Sequence, residues 1–272
     1  MKKIVLLLMC SMLLFGGCSA LAKELRVEFY NVGKADAMLI TTPEGQRIMI
    51  DTATNAEGKK LVKRLEDEGI DTIDLLIITH FDKDHVGGAD KLIEDMKVAQ
   101  VLMPVYEKES KQYTQLLEAI EESEDTQIVT MKNAQKLEFE AGGAEFFVTS
   151  AQRTYYGSDE ENDFSLVVRM TYGDTRFLFA GDAEEARQKE ILSEGDVACD
   201  VLKVPYHGRL TDVSPAFIAA AKPKIAFVTD SDKEPASEVV LALLGEAGAD
   251  VYSARGGDLT VESDGKTVRV IE

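Results

Sequence analysis

Only three histidines occur in the 272 residues, and each follows an apolar run and stands beside carboxylates or glycine. His80 and His85 lie in Thr79-His80-Phe81-Asp82-Lys83-Asp84-His85-Val86-Gly87-Gly88, directly after the run Leu75–Thr79. His80, Asp82, Asp84 and His85 are thus four potential metal ligands within six residues. Imidazole suits zinc and related ions, while carboxylates shift the preference toward harder metals such as manganese or magnesium. A loop leaving a strand end lets a rigid scaffold aim several short side chains at one point. The plainer account is a solvated turn whose aspartates cap the next helix. Ligand density, and glycines at 87 and 88 that admit close backbone approach, favour the metal.

Two further segments share this placement. Gly181-Asp182 closes the run Phe177–Ala180, and His207-Gly208 follows Val201–Val204. Each pair is weak evidence by itself; their common position at strand ends is what counts. A bound divalent ion lowers the pKa of water from about 15.7 to about 7, giving hydroxide at neutral pH without a serine or cysteine nucleophile. Lys203, Arg209 and Thr211 flank His207 in sequence. Arg209 or Lys203 is a candidate for meeting substrate phosphate, the alternative being an ordinary surface charge.

The elements that must hold these side chains follow from periodicity. Strands are expected at 25–32, 36–42, 46–51, 75–79 and 99–105, with Gly45 turning the second into the third. Helices are expected near 57–69, where Leu61, Val62 and Leu65 share a face. Two more carry Ala89, Leu92, Ile93 and Met96, and Tyr113, Leu116, Leu117 and Ile120. The second half predicts strands at 126–131, 135–140, 144–149, 164–172, 175–180, 200–205, 225–229, 250–253, 258–262 and 266–271. Its helices are expected near 183–193, 214–221 and 237–247. Helices interspersed among strands in both halves fit an α/β chain of two packed sheets with helices outside.

A hydrophobic share of 45% supports a real core. The net charge of -19, from 49 acidic and 30 basic residues, argues against a default nucleic-acid binder, which needs clustered Lys and Arg. Its plain meaning is solubility. At the N-terminus, Lys2 and Lys3 precede the apolar run Ile4–Phe15, too short for the ~20 residues of a bilayer span but suited to a signal peptide. Gly16-Gly17-Cys18-Ser19 follows and resembles a bacterial lipoprotein signal, with Cys18 lipidated and residues 1–22 forming the anchor region ahead of a 23–272 domain. The expected location is therefore extracytoplasmic, on the cell membrane through the lipid anchor; ordinary secretion, with cleavage near Ala20 or Ala22, is the alternative. Cys10 falls in the signal, so Cys199 is left alone and is expected to be a buried structural thiol.

The order Asp51 after a strand, His80-x-Asp82-x-Asp84-His85, Gly181-Asp182 and His207-Gly208 resembles the metallo-β-lactamase superfamily. Within it, the chain is similar to the ComEC-type hydrolase domain of competence-linked DNA-uptake membrane proteins. The shared features are Asn31-Val32-Gly33-Lys34-Ala35-Asp36-Ala37, Ile50-Asp51-Thr52, and Asn162-Asp163-Phe164-Ser165-Leu166-Val167. A further one is Asp82, where most of the superfamily has a second His. The resemblance covers residues 25–270. It implies a four-layer αββα sandwich and two divalent ions, zinc or manganese. Asp84, His85 and His207 would hold one ion and His80 and Asp82 the other. Asp182 would bridge them, making Asp84 and Asp182 the catalytic carboxylates, and Asp51 and Asp36 would support the ligand loops.

Two departures matter. Most of the superfamily has a further His between the first cluster and the Gly-Asp, and this chain has none; Asn162 or Asp163 is expected to fill that space. Where the subgroup runs His-His-Gly-Ser, this chain has Tyr206-His207-Gly208-Arg209, which alters the surroundings of the ligand or the substrate mouth. The resemblance implies a phosphodiesterase or nuclease acting on a phosphodiester, with single-stranded DNA the polymeric case. The alternatives are a hydrolase of another ester, thioester or amide, and a non-catalytic metal-binding lipoprotein. It says little about β-lactams, and nothing in the sequence points to a protein partner.

Overall fold

A computed structural model describes residues 24–157 and 161–271. The apolar N-terminal run, Cys10 and the lipidation candidate Cys18 lie outside the described residues. The first half contains β1 (Leu25–Phe29), β2 (Met38–Thr41), β3 (Arg47–Ile50), α1 (Asn55–Asp67), β4 (Thr72–Ile73) and β5 (Leu75–Ile77). It continues with α2 (Lys83–Val86), α3 (Ala89–Asp95), β6 (Lys97–Val98), β7 (Gln100–Pro104), α4 (Lys111–Glu122) and β8 (Gln127–Met131). The second half contains β9 (Lys136–Ala141), β10 (Ala144–Thr149), β11 (Val167–Tyr172), β12 (Thr175–Phe179), α5 (Glu185–Ser193) and β13 (Val201–Lys203). It closes with α6 (Ser214–Ala221), β14 (Ile225–Val228), α7 (Glu238–Glu246), β15 (Asp250–Ser253), β16 (Leu259–Ser263) and β17 (Val268–Ile271).

Strand alternation sorts the apolar side chains into three layers of core. Val27, Phe29, Ile48, Ile50, Leu75 and Ile77 meet Phe146, Val168, Phe177, Phe179, Val201 and Phe227 between the sheets. The opposite face of the first sheet, with Leu39, Met49, Leu76 and Val101, packs on α1, α3 and α4 through Leu61, Leu65, Leu92 and Leu116. The opposite face of the second, with Leu178, Leu202 and Ala226, packs on α5 to α7 through Ile191, Phe217, Val240 and Leu244. The result is the expected helix–sheet–sheet–helix sandwich. One sheet is eight-stranded in the order β17-β16-β1-β2-β3-β5-β7-β8, the other seven-stranded in the order β15-β14-β13-β12-β11-β10-β9. The C-terminal strands return to the first sheet, where β16 pairs antiparallel with β1.

Both sheets have parallel segments that end on one side of the molecule. β3 and β5 run parallel, as do β12, β13 and β14. Their C-terminal ends release Asp51, His80, Asp182, His207 and Thr229, the edge where parallel strands ordinarily carry ligands. The strand expected over 164–172 begins only at Val167. Residues 161–164 form a 3₁₀ turn, and Leu166 donates its N–H to Thr79 O, across to the ligand-bearing loop. The strand expected over 200–205 stops at Lys203, because Pro205 starts another 3₁₀ turn. Three elements were not anticipated. α2 is a single turn inside the ligand loop, and the two-residue strands β4 and β6 are too short to show alternation.

Candidate metal centre

Three buried imidazoles converge at this edge. His80 and His85 have ring centroids 4.1 Å apart, and His85 and His207 5.4 Å apart. Asp182 Oδ2 lies 2.8 Å from His207 Nε2 and 3.3 Å from His85 Nε2. Asp84 Oδ2 is 3.5 Å from His207 Nε2, and Asp82 Oδ2 is 3.9 Å from His80 Nε2. The Nε2 atoms of all three histidines are buried and make no hydrogen bond. Buried polar nitrogens are ordinarily satisfied, so three orphaned ones facing carboxylates fit ligation of a cation. Asp36, His85, Asp182 and His207 each offer an atom within 4.8 Å of the others.

The opposite edge of each ring is held. Asp51 Oδ2 takes His85 Nδ1 at 2.8 Å, while its carboxylate also accepts from Thr79 N (2.8 Å) and Thr79 Oγ1 (2.7 Å). His207 Nδ1 lies 2.9 Å from both the carbonyl and the hydroxyl of Thr229. His80 Nδ1 is 3.1 Å from Thr79 Oγ1 and 3.5 Å from Ser165 Oγ, which also accepts Asp182 N at 3.1 Å. Such partners put the proton on Nδ1 and turn Nε2 toward the ligand position. The backbone is bent to suit: Asp51 (φ 57), Tyr206 (φ 52) and His207 (φ 51) are left-handed, at a cost of about 1–3 kcal/mol each. Gly87 and Gly88 let α1 press on the ligand loop. A Cβ on Gly88 would sit 2.6 Å from Gly58 Cα, and one on Gly87 2.6 Å from Asn55 N, both in α1.

Charge is distributed unevenly. Burial, with His85 beside it, pushes His80 down to about 4, so it stands neutral and ready as a ligand at pH 7. Burial opposes charge on His85, but Asp182, Asp36 and Asp51 overcome it and hold the pKa well above the usual value. His207 is raised likewise, burial being outweighed chiefly by Asp182. At Asp182 burial would favour the neutral acid, yet His207, His85 and Lys203 keep it ionised well below the usual range. Asp84 is also held low against burial, by His207, His85 and Lys34. Ionised carboxylates beside imidazole nitrogens make a mixed donor set suited to zinc or manganese.

The structure gathers His80, Asp82, Asp84, His85, Asp182 and His207, and it places Asp51 and Asp36 behind the rings. Asp36 lies 3.7 Å from the Nδ1 atoms of both His85 and His207. Two expectations are corrected. Lys203 is fully buried and cannot meet substrate; its ammonium bonds Gly181 O (2.9 Å), Asp182 Oδ1 (3.3 Å) and Asp36. Asp163 does not fill the space of the missing histidine. Its Oδ1 accepts the N–H groups of Glu184 and Arg187, capping α5 from outside. Thr211 Oγ1 serves the start of α6, bonding Ser214 and Gln188. Asn162 donates to Glu184 at 2.7 Å, and its buried Oδ1 has no hydrogen-bond partner among the described residues. Arg209 lies over the Tyr206 ring at 5.2 Å and pairs with Glu234 at 3.1 Å on the surface. Cys199 is buried as expected.

Sequence reasoning missed Lys34 and Lys108. Lys34 Nζ reaches Asp84 Oδ2 at 2.8 Å, and Lys108 Nζ reaches Asp82 Oδ1 at 2.8 Å. Lys34 sits inside the Asn31–Ala37 run, which was a signal; Lys108 lies between two glutamates in a polar loop and carried none. Arg187, fully buried, was also missed. It ties Ser165 O, Thr149 O, Glu190 and Glu194 together beneath the site.

Residues 30–228 match the family model described as Metallo-beta-lactamase superfamily. Among curated proteins, ComE operon protein 3 of Bacillus subtilis is 28% identical over 227 residues, covering 77% of this chain and 29% of that protein. Recombination protein 2 of Haemophilus influenzae is 26% identical over 215 residues, covering 77% and 25%. The chain therefore spans less than a third of the length of either relative. Among solved structures, CmlA, a diiron beta-hydroxylase from Streptomyces venezuelae, superposes with a TM-score of 0.59 at 15% identity, covering 89% of this chain and 54% of that one.

Proposed function

The chain belongs to the metallo-beta-lactamase superfamily, and on that premise we propose that it is a metal-dependent hydrolase of phosphodiesters. The observation that carries the reading is three buried, unpartnered Nε2 atoms facing carboxylates, those of His85 and His207 on Asp182 and that of His80 toward Asp82. Asp84, His85 and His207 would hold one divalent ion and His80 and Asp82 a second, with Asp182 between them. Bound there, such ions supply an acidified water and polarise the oxygen under attack. The chain's own residues do the rest. Asp51 and Thr229 orient the imidazoles, Lys203 keeps Asp182 ionised, and Asp84 and Asp182 hold negative charge at the reacting edge.

The name of one relative, Recombination protein 2, supports a phosphodiester. Fold likeness does not decide the reaction, since CmlA is a hydroxylase. The net charge of -19 favours a short diester over a long polyanion, so single-stranded DNA is the demanding case. The proposal includes a tether to the extracytoplasmic face of the cell membrane through lipidated Cys18. Among the described residues no helix is long and apolar enough to cross a membrane.

Elemental analysis of the purified chain, followed by a phosphodiester and nuclease panel with added manganese, tests the function. Divalent metal and diester turnover, both lost in Asp84→Ala, are expected. Metal without turnover on any diester, ester, thioester or amide would assign a binding role instead. N-terminal mass spectrometry tests the tether.

A further inference from the structure

Cations are placed around this centre in two ways. Lys203 lies wholly inside, while Lys34 and Lys108 reach it from the solvent side, with side chains 17% and 20% exposed. Lys34 comes from the loop joining β1 to β2, and Lys108 from the loop between β7 and α4. They therefore flank the cluster from separate segments, one on Asp84 and the other on Asp82, carboxylates assigned to different ions. Arg209, the cation that sequence pointed to, is spoken for by Glu234 and Tyr206.

We propose that Lys34 and Lys108 form a cationic rim that seats the non-bridging oxygens of a phosphodiester over the metal centre, Lys34 being the stronger member. The proposal rests on the hydrolase reading above and narrows its substrate to anions. Its physical basis is charge balance. Asp36, Asp51, Asp82, Asp84 and Asp182 bring five carboxylates together against the single buried ammonium of Lys203. Two dications would only neutralise that set, leaving little attraction for an anion in a chain already strongly acidic. Lys34 and Lys108 are then the positive charge that remains. Metal ions beside Asp82 and Asp84 repel both ammonium groups, and an incoming phosphate oxygen is the partner that takes them up. Lys108 also touches Glu161, which shares its charge, so it contributes less than Lys34.

The test is calorimetric titration of inorganic phosphate into the manganese-loaded full chain, with metal content measured in parallel. Variants are Lys34→Met, Lys108→Met, Lys34→Arg, and Lys60→Met as an exposed control on α1. Lys34→Met is expected to weaken phosphate about tenfold and Lys108→Met about threefold, in line with loss of one charge-assisted contact. Lys34→Arg should recover most of the affinity, Lys60→Met should behave as wild type, and bound metal should be the same throughout. KM for an anionic diester should rise in step. An affinity within twofold of wild type in metal-loaded Lys34→Met overturns the rim, as does equal weakening in Lys60→Met or loss of metal from Lys34→Met. Wild-type chain that loads metal yet binds no phosphate overturns it and leaves the hydrolase reading standing. Wild-type chain that loads no metal overturns both.

Discussion

The two halves of the candidate metal centre are built differently. On one side His85, His207 and Asp182 are buried almost completely, every ring has a fixed Nδ1 partner, and Lys203 supports the carboxylate from beneath. On the other side His80 is equally buried, but its companion Asp82 is a third exposed, leans on Lys108, and stands 3.9 Å from the ring. No further histidine joins it. The first half is preorganised by its neighbours and the second is left for the cation to complete. Ligand identity alone does not make a site; the partners behind the ligands decide how much is in place beforehand.

The most severe test of this contrast removes the support from the buried half. Lys203→Met leaves Asp36 and Asp182 without their shared ammonium in a dry site. It should destabilise the chain by about 3–5 kcal/mol, read as a lowered denaturation midpoint. A change below about 1 kcal/mol would mean that the buried half needs no counter-ion. Next in size, Asp51→Ala should lower affinity for the tighter ion by roughly 10–100-fold, because His85 and Thr79 lose their common anchor. Competition against a chelator measures this.

Asp82→Ala should spare the tighter ion and remove only the weaker one, so that bound metal falls while the melting temperature barely moves. Loss of both ions in that variant would erase the distinction between the halves. The two sides should also differ in protons released. His85 and His207, whose pKa values are raised by Asp182 and its neighbours, must shed protons to ligate near neutral pH. Affinity on their side therefore climbs as pH rises toward those values and falls as pH drops. His80, at about 4, is already neutral and releases none above roughly pH 5. Calorimetry in buffers of different ionisation enthalpy counts the protons for each ion. The smallest effect is expected at the rim's edge. Arg209→Ala breaks an exposed pair with Glu234 and should cost no more than about 0.5–1 kcal/mol.

Much of this was legible beforehand because strand ends are written in apolar runs. Leu75–Thr79 leading to His80, Phe177–Ala180 to Gly181-Asp182, and Val201–Val204 to His207 were all read correctly as strands, and their ends bring these side chains to one edge. Local periodicity carries that information. The same local reading failed where a side chain's surroundings come from distant segments. Lys203 looked like a free cation beside His207, yet Asp36, over 160 positions away, and Asp182 enclose it. Asp163 looked like a spare ligand, but α5 presents two N–H groups that claim its oxygen.

By itself, then, the sequence determined the kinds of donor atom, their order, the strands that end at them, and the glycines that let α1 close on the loop. Only the tertiary structure decided which cations lie beneath the site and which face solvent, which aspartate caps a helix, and which imidazole nitrogen is left bare. Periodicity is a property of neighbours along the chain, whereas burial and charge pairing depend on which remote segments meet when the two sheets pack together.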